Sequence, residues 1–228
     1  MRASTSYGNL RAAVLGVNDG LVSNFSLVMG VAGGTGDPDI VLLAGVAGLL
    51  AGAFSMAAGE YVSVRSQRDV YEYQIEKERD EIAMQPDEEE QELVAIYRSK
   101  GLSQEEAETV ARRLRADPEA MLDTMVREEL GLNPDELGSP IGASVSSFTA
   151  FVAGALIPII PYLFGTASLN VPASAALSAA ALLLVGGTLA KTSNRNPLWG
   201  AARMALAGGA AATVTFGIGR LVGTTLAG

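Results

Sequence analysis

The stretch Gly16–Val31, GVNDGLVSNFSLVMGV, determines how the rest of the chain is interpreted. It is apolar, free of proline and compatible with a helix, yet Asn18 and Asp19 stand near its start and Asn24 lies further in. The surrounding segment Ala12–Gly33 carries no charge other than that of Asp19, and it exceeds the ~20 residues needed to cross a bilayer. Inserting a carboxylate into the membrane within such a span costs roughly 2.5–3.5 kcal/mol on insertion scales, so a functional role for Asp19 is the default interpretation.

Four further segments are long and apolar enough to span a membrane. Three carry no charge and one contains a single arginine; they are Ile40–Gly59, Ile141–Phe164, Val171–Ala190 and Leu198–Ile218. Buried core helices of a soluble protein are the alternative, but 228 residues cannot supply a shell around five such helices. Their many glycine and alanine residues suit close helix packing in lipid. The sequence therefore predicts an all-α membrane protein with five transmembrane helices.

Charge is concentrated in the middle of the chain. Residues 61–139 hold 21 of the 25 acidic and 10 of the 16 basic residues, a net charge of −11. This break in composition predicts transmembrane helices 1 and 2 in residues 1–64, a helical domain in 65–138, and transmembrane helices 3 to 5 in 139–228.

Breakers and caps divide the acidic region into helices. Neither proline nor glycine occurs from Glu60 to Met84, so the second span is expected to continue as one long helix until Pro86. A capping box beginning at Ser103 and the pair Asp117-Pro118 indicate the starts of two later helices. The acidic region is therefore expected to be a three-helix insert between spans two and three.

The distribution of basic residues orients the chain. Arg2 and Arg11 precede the first span and the loop Lys191–Asn196 holds two bases, whereas the loop Gly33–Asp39 has two acids and no base. The N-terminus and the insert are therefore expected on the cytosolic side. The first span is expected to be retained, because it is longer than the apolar core of a signal peptide and lacks a cleavage site.

Composition also narrows the function classes. The sequence has no cysteine and no histidine, so it offers no disulfide, no thiolate and no imidazole as ligand or catalytic base. A serine–histidine–aspartate set is impossible, and an acidic protein is a poor partner for nucleic acid. We expect a protein that is not an enzyme and carries no prosthetic group.

Carboxylates recur at helical spacing in the insert. Glutamates three apart share a helix face, and a stripe of methionines and a glutamate recurs every four residues. These residues are Glu78 and Glu81, Glu89 and Glu92, and Met121, Met125 and Glu129. If the faces meet, they form an oxygen-rich cage for a divalent ion, and a thioether ligand favours the softer transition ions. The alternative is that the glutamates are solvated and the methionines fill a core.

Two of the apolar spans carry potential ligands for a cation path. Met56 and Glu60 lie one turn apart in the second span, and together with Asp19 they could line a route entered from the cytosol. The alternatives are that Asp19 is a helix cap or the partner of a helix break around Gly20, and that Met56 only packs.

Two motifs resemble the vacuolar iron transporter family: DGLVSNFSLVMGV at Asp19–Val31 and SMAAGEYVSVRSQ at Ser55–Gln67. The resemblance implies a homodimeric divalent-metal/proton antiporter with its path at the subunit interface, lined by Asp19 and Met56. It also implies metal binding by the insert through Glu78, Glu81, Glu89, Glu92, Met125 and Glu129. The family often has two adjacent methionines where this chain has Met125-Val126, which leaves one sulfur fewer or Met121 as its substitute.

The expected function is proton-coupled export of divalent iron, and also of manganese, from the cytosol after capture by the acidic insert. A membrane-anchored metal sensor or store without transport is the alternative. A ferritin-like oxidase is disfavoured because its sites use Glu-x-x-His pairs. A short acidic chain without a targeting extension favours the bacterial inner membrane; in a eukaryote the resemblance implies the vacuolar membrane.

Overall fold

A computed structural model describes residues 3–133, 137–164 and 167–226, and throughout these ranges the regular structure is helical. In chain order the helices are α1 Ala3–Gly34, α2 Pro38–Met84, α3 Pro86–Ser99, α4 Gln104–Arg115, α5 Pro118–Glu128, α6 Pro140–Leu156, α7 Ile160–Phe164, α8 Ala167–Thr192 and α9 Pro197–Leu226. The all-α prediction is confirmed.

Four helices are long and apolar enough to cross a membrane. They cover Gly8–Gly34, Pro38–Met84, Ser168–Thr192 and Pro197–Thr225, and they contain the predicted first, second, fourth and fifth spans. Helix α2 is one continuous helix of 47 residues, as expected from its lack of breakers, and is about 70 Å long at 1.5 Å per residue. A hydrocarbon layer of about 30 Å accommodates less than half of it, so its charged second half extends beyond that layer.

The predicted third span is broken. Helix α6 is only 17 residues long, a turn occupies residues 157–159, and α7 adds five residues. Pro158 and Pro161 explain the break because neither has an N–H to continue the helix. A fifth span would have to be built from α6 and α7 together, and it remains a prediction.

Side chains from other helices donate to carbonyls that the break leaves without their α-helical partners. The Ile159 N–H donates to the carbonyl of Leu156 at 3.0 Å, one residue short of the α-helical partner Ala155. Asn24 Nδ2 donates to the Ala155 carbonyl at 2.7 Å, and Ser174 Oγ donates to the Pro158 carbonyl at 2.8 Å. The break is thus stabilised from α1 and from α8, as a broken helix among apolar helices requires.

The chain divides into two compact units. The membrane unit comprises Tyr7–Tyr61 and Pro140–Gly228, and the insert comprises Met1–Ser6 and Val62–Ser139. Helix α2 contributes to both units.

Within the membrane unit, α1 and α6 cross with their backbones in contact. A Cβ atom at Gly20 would collide with the carbonyl of Phe151, and one at Gly154 would collide with the carbonyl of Val17. Small residues permit this approach, which is the usual way that helices associate in lipid. Leu21 and Val28 on the same helix are fully buried, so this crossing fixes how α1 is rotated.

The insert contains the predicted helix starts. Ser103 Oγ accepts a hydrogen bond from the Glu106 N–H at 3.3 Å, and Glu106 Oε2 accepts one from the Ser103 N–H at 2.9 Å, which confirms the capping box. Asp117 caps α5, with Pro118 in the first turn. Three helices, α3 to α5, therefore follow α2, and their apolar faces form one hydrophobic core with Ile82 of α2.

Candidate metal-binding sites

The three predicted path residues line one cavity in the membrane unit. The cavity has a volume of about 410 Å³ and is bounded by α1, α2 and α6. Its lining consists of Asp19, Ser23, Asn24, Leu27, Gly48, Gly52, Ser55, Met56, Gly59, Glu60 and Phe151. Two carboxylates, a thioether, two hydroxyls and an amide thus share one space among apolar helices, which is a donor set suited to a divalent cation.

Asp19 lies in the middle of an uninterrupted helix. Helix α1 runs from Ala3 to Gly34, so Asp19 neither caps a helix nor supports a break at Gly20, and the structural alternative weighed from the sequence is wrong. Gly20 instead permits the contact with α6. The hydroxyl of Ser23 donates to the main-chain carbonyl of Asp19 at 2.5 Å, which leaves the carboxylate unconstrained by that neighbour.

Glu60 is the second acidic residue of the cavity. Its side chain is 9% exposed, and its Oε2 lies 3.7 Å from Nη2 of Arg11, too far for a hydrogen bond. The same Oε2 is buried without a hydrogen-bond donor among the residues that the structure describes. A buried carboxylate oxygen facing a loosely placed guanidinium can exchange that partner for another cation.

Met56 is partly buried and packs against the hydrophobic core of the membrane unit while it also lines the cavity. Packing and ligation are therefore compatible at this position, because the polarizable sulfur serves in both. The spacing of Met56 and Glu60, one helical turn, puts both on the cavity side of α2.

In the insert, three glutamates from separate elements meet. Carboxylate oxygens of Glu78, Glu89 and Glu129 all lie within 4.8 Å of one another. Glu78 belongs to α2, Glu89 to the first turn of α3, and Glu129 is the C-cap of α5. Glu78 is 3% exposed and Glu89 7% exposed, so two of the three carboxylates are shielded from water.

This proximity perturbs the protonation of the cluster. Burial, followed by the charges of Glu129 and Glu89, raises the pKa of Glu78 to about 7. Burial also raises the pKa values of Glu89 and Glu129, and the charge of Glu92 adds to both shifts. Three carboxylates held this close need protons or a cation between them. The solvated-glutamate alternative does not describe Glu78 and Glu89.

The remaining predicted ligands are placed differently. Glu81 forms an ion pair with Lys77, with 2.7 Å between Nζ and Oε1, and its charge still raises the pKa of Glu78. Glu92 is exposed. Met125 is fully buried in the hydrophobic core of the insert beside Met121, so the core-packing interpretation describes their surroundings. A ligand role for Met125 is a proposal.

Sequence reasoning did not assign Asn24 to the site. Asn24 is 2% exposed and lines the cavity with Asp19, five residues earlier on α1. An amide in the middle of an apolar span was the available signal, because such a group must find a partner in lipid.

Long apolar helices that enclose a carboxylate-bearing cavity define the class of this protein: it is a helical integral membrane protein. A sequence model described as the VIT family matches residues 10–220, and the chain belongs to this family.

Named relatives agree over nearly the whole chain. Vacuolar iron transporter 1 of Eucalyptus grandis is 37% identical over 217 residues, which cover 93% of this chain and 86% of the relative. Vacuolar iron transporter 1 of Arabidopsis thaliana is 35% identical, with 93% and 86% covered. The vacuolar iron transporter of Acanthamoeba castellanii is 36% identical, with 94% of this chain and 78% of the relative covered.

Proposed function

We propose that this protein carries divalent iron across a membrane through the cavity lined by Asp19, Met56 and Glu60. The observation on which the proposal rests is the cavity itself, which holds two carboxylates and a thioether among helices long enough to span a bilayer. Iron transport in the names of three relatives supports iron as the substrate. Oxygen ligands with one sulfur suit Fe²⁺, and Mn²⁺ is the second expected substrate.

Competition at the carboxylates supplies a means of coupling to protons. A carboxylate can hold a metal ion or a proton but not both, so metal ions and protons compete for the acidic side chains of the cavity. If the two occupancies alternate between the two sides of the membrane, metal moves one way and protons the other. We propose antiport of this kind, with the metal leaving the cytosol.

The insert would capture ions before transport. Glu78, Glu89 and Glu129 already form an anionic cluster with oxygens within 4.8 Å, and Glu81 and Glu92 add charge nearby. Burial, and after it the neighbouring negative charges, raises the pKa of Glu78 to about 7, and a divalent ion bound there would offset both. The net charge of −11 in residues 61–139 would also concentrate cations around the insert.

The family resemblance supports three further proposals: a cytosolic insert, a homodimer, and a location in the vacuolar or the bacterial inner membrane. Cross-linking of the purified protein in nanodiscs tests the dimer, and accessibility of a cysteine placed at exposed Asp80 tests the side of the insert.

Transport is tested in proteoliposomes containing the full chain. We expect Fe²⁺ and Mn²⁺ to enter vesicles containing the wild type, and Asp19→Asn to abolish entry while the protein still inserts. Asp39→Asn is the matched control, because Asp39 is exposed at the start of α2 and outside the cavity. Normal flux through Asp19→Asn would refute the assigned path. Metal binding without flux in the wild type would instead favour a metal sensor or store.

Capture by the insert is tested by calorimetry on the full chain. Changing Glu78, Glu81, Glu89 and Glu92 together to Ala is expected to lower the number of bound Mn²⁺ ions and to slow transport at low metal concentration. The control variant changes four exposed acidic residues to Ala, so that its net charge changes as much as that of the test variant. These residues are Glu76, Asp80, Glu88 and Glu105. Equal stoichiometry in both variants would reject the cluster as a capture site.

A further inference from the structure

Asn24 presents a buried amide oxygen that no donor within the described ranges satisfies. The side chain is 2% exposed, its Nδ2 donates to the Ala155 carbonyl at 2.7 Å, and its Oδ1 lacks a hydrogen-bond partner. Buried polar atoms normally have partners, so an unsatisfied one calls for an explanation such as an ion. Asn24 also lines the cavity that contains Asp19 and Met56.

The orientation of this amide follows from chemistry. A carbonyl can only accept a hydrogen bond, so the atom facing Ala155 must be the nitrogen, and the other atom must be the oxygen. Ala155 is available because the turn at Pro158 diverts the Ile159 N–H to Leu156. The break in α6 therefore holds Asn24 in a single orientation.

The oxygen faces α2 at a position that has no side chain. A Cβ atom placed on Gly48 would lie 2.9 Å from Asn24 Oδ1, and Gly48 itself lines the cavity. Any larger residue at position 48 would meet the Leu27 side chain first and would also crowd this oxygen. The arrangement resembles a preorganised ligand, because the scaffold fixes the nitrogen and no donor in the described ranges occupies the buried oxygen.

We propose that Asn24 Oδ1 is a metal ligand in the cavity and favours harder divalent ions over softer ones. The inference rests on the proposed transport function. A neutral carbonyl oxygen suits Mn²⁺, whereas the thioether of Met56 suits softer ions such as Co²⁺. The two residues, one on α1 and one on α2, would then set selectivity within the same cavity.

The test measures KM for Mn²⁺ and for Co²⁺ in proteoliposomes. Asn24→Leu is expected to raise KM for Mn²⁺ about ten-fold or more, and to raise it less for Co²⁺, since loss of even an outer metal-site group costs 10–100-fold in affinity. Met56→Leu is expected to shift the ratio of the two KM values the other way. Ser174→Ala is the matched control, because Ser174 also donates a side-chain bond to the α6 break but does not line the cavity.

Equal changes of the two KM values in Asn24→Leu, or a pattern matching that of Ser174→Ala, would overturn the inference. Should Asn24→Leu fail to insert, Asn24→Gln keeps an amide nitrogen for the Ala155 carbonyl and an amide oxygen for the metal, and it is expected to keep the preference for Mn²⁺; loss of that preference would also overturn the inference. Absence of flux in the wild type would instead refute the proposed transport function. The wild-type measurement alone therefore separates failure of the proposed function from failure of the Asn24 assignment.

Discussion

Replacing Glu78 with glutamine is expected to stabilise the metal-free insert at neutral pH while weakening metal binding. Glu78 is 3% exposed, and its Oε1 has no hydrogen-bond partner among the described residues. Its charge lies beside Glu89 and Glu129. Glutamine has nearly the same shape and no charge, so it removes the cost of a buried charge and the repulsion, and it retains the packing.

The magnitude follows from the pKa of Glu78, which rises from its ordinary value of 4.5 to about 7. Below pH 4.5 the group is protonated in both folded and unfolded chains, so it carries no penalty. Between pH 4.5 and 7 the unfolded chain ionises while the folded chain does not, and stability falls as the pH rises. One pKa unit corresponds to about 1.36 kcal/mol, so the penalty approaches about 3 kcal/mol above pH 7.

The assay is hydrogen exchange with mass spectrometry on the chelator-treated full chain, read at α3 to α5 and corrected for intrinsic exchange rates. At pH 8 Glu78→Gln should increase protection by up to about 3 kcal/mol over the wild type, and at pH 4.5 by little. Mn²⁺ at about 100 times its Kd should stabilise the wild type by about 2.7 kcal/mol and the variant by less. Asp80→Asn, exposed and two residues further along α2, is the control.

Two results would refute this reasoning. One is wild-type protection that rises between pH 4.5 and 7, which is the opposite sign. The other is equal protection of Glu78→Gln and Asp80→Asn at pH 8, which would mean that burial and the neighbouring charges impose no penalty on ionised Glu78.

Three other substitutions test the packing and the charges around the sites. Gly20→Ala should lower Tm because its methyl group meets the backbone of α6, whereas Gly59→Ala, with nothing within 4 Å, should not. Arg11→Gln should lower KM for Mn²⁺ severalfold by removing the cation 3.7 Å from Glu60, and the gain should shrink at high salt; an unchanged KM would mean that the pair does not compete with metal. Met125→Leu should cost less than about 1.5 kcal/mol of stability and reduce Co²⁺ binding by the insert, whereas unchanged binding would leave it a core residue.

The spans and caps were predictable because they depend on local properties. Long apolar segments with at most one charge identify α1, α2, α8 and α9, and the capping box at Ser103 specifies the start of α4. The break in the third span was not predicted, because absence of charge fits a broken helix as well as a straight one. Whether a break is tolerated depends on partners such as Asn24 and Ser174, which come from other helices.

In the insert, too, local sequence patterns did not predict the contacts between helices. Helical spacing indicates which glutamates share a face, but it cannot say which carboxylates meet. Glu81 is drawn to Lys77 one turn away, whereas Glu129, at the end of another helix, joins Glu78 and Glu89. That outcome depends on how the apolar faces of α2, α3 and α5 pack. Helical spacing within one segment does not determine this tertiary packing.

Simultaneous recording of Mn²⁺ entry and internal pH in the same proteoliposomes tests the central claim most directly. With an acidic interior, we expect Mn²⁺ to enter as protons leave, and Asp19→Asn to lose both signals together. Metal entry that leaves the internal pH unchanged, or that persists in Asp19→Asn, would contradict a cavity in which carboxylates exchange a divalent ion for protons.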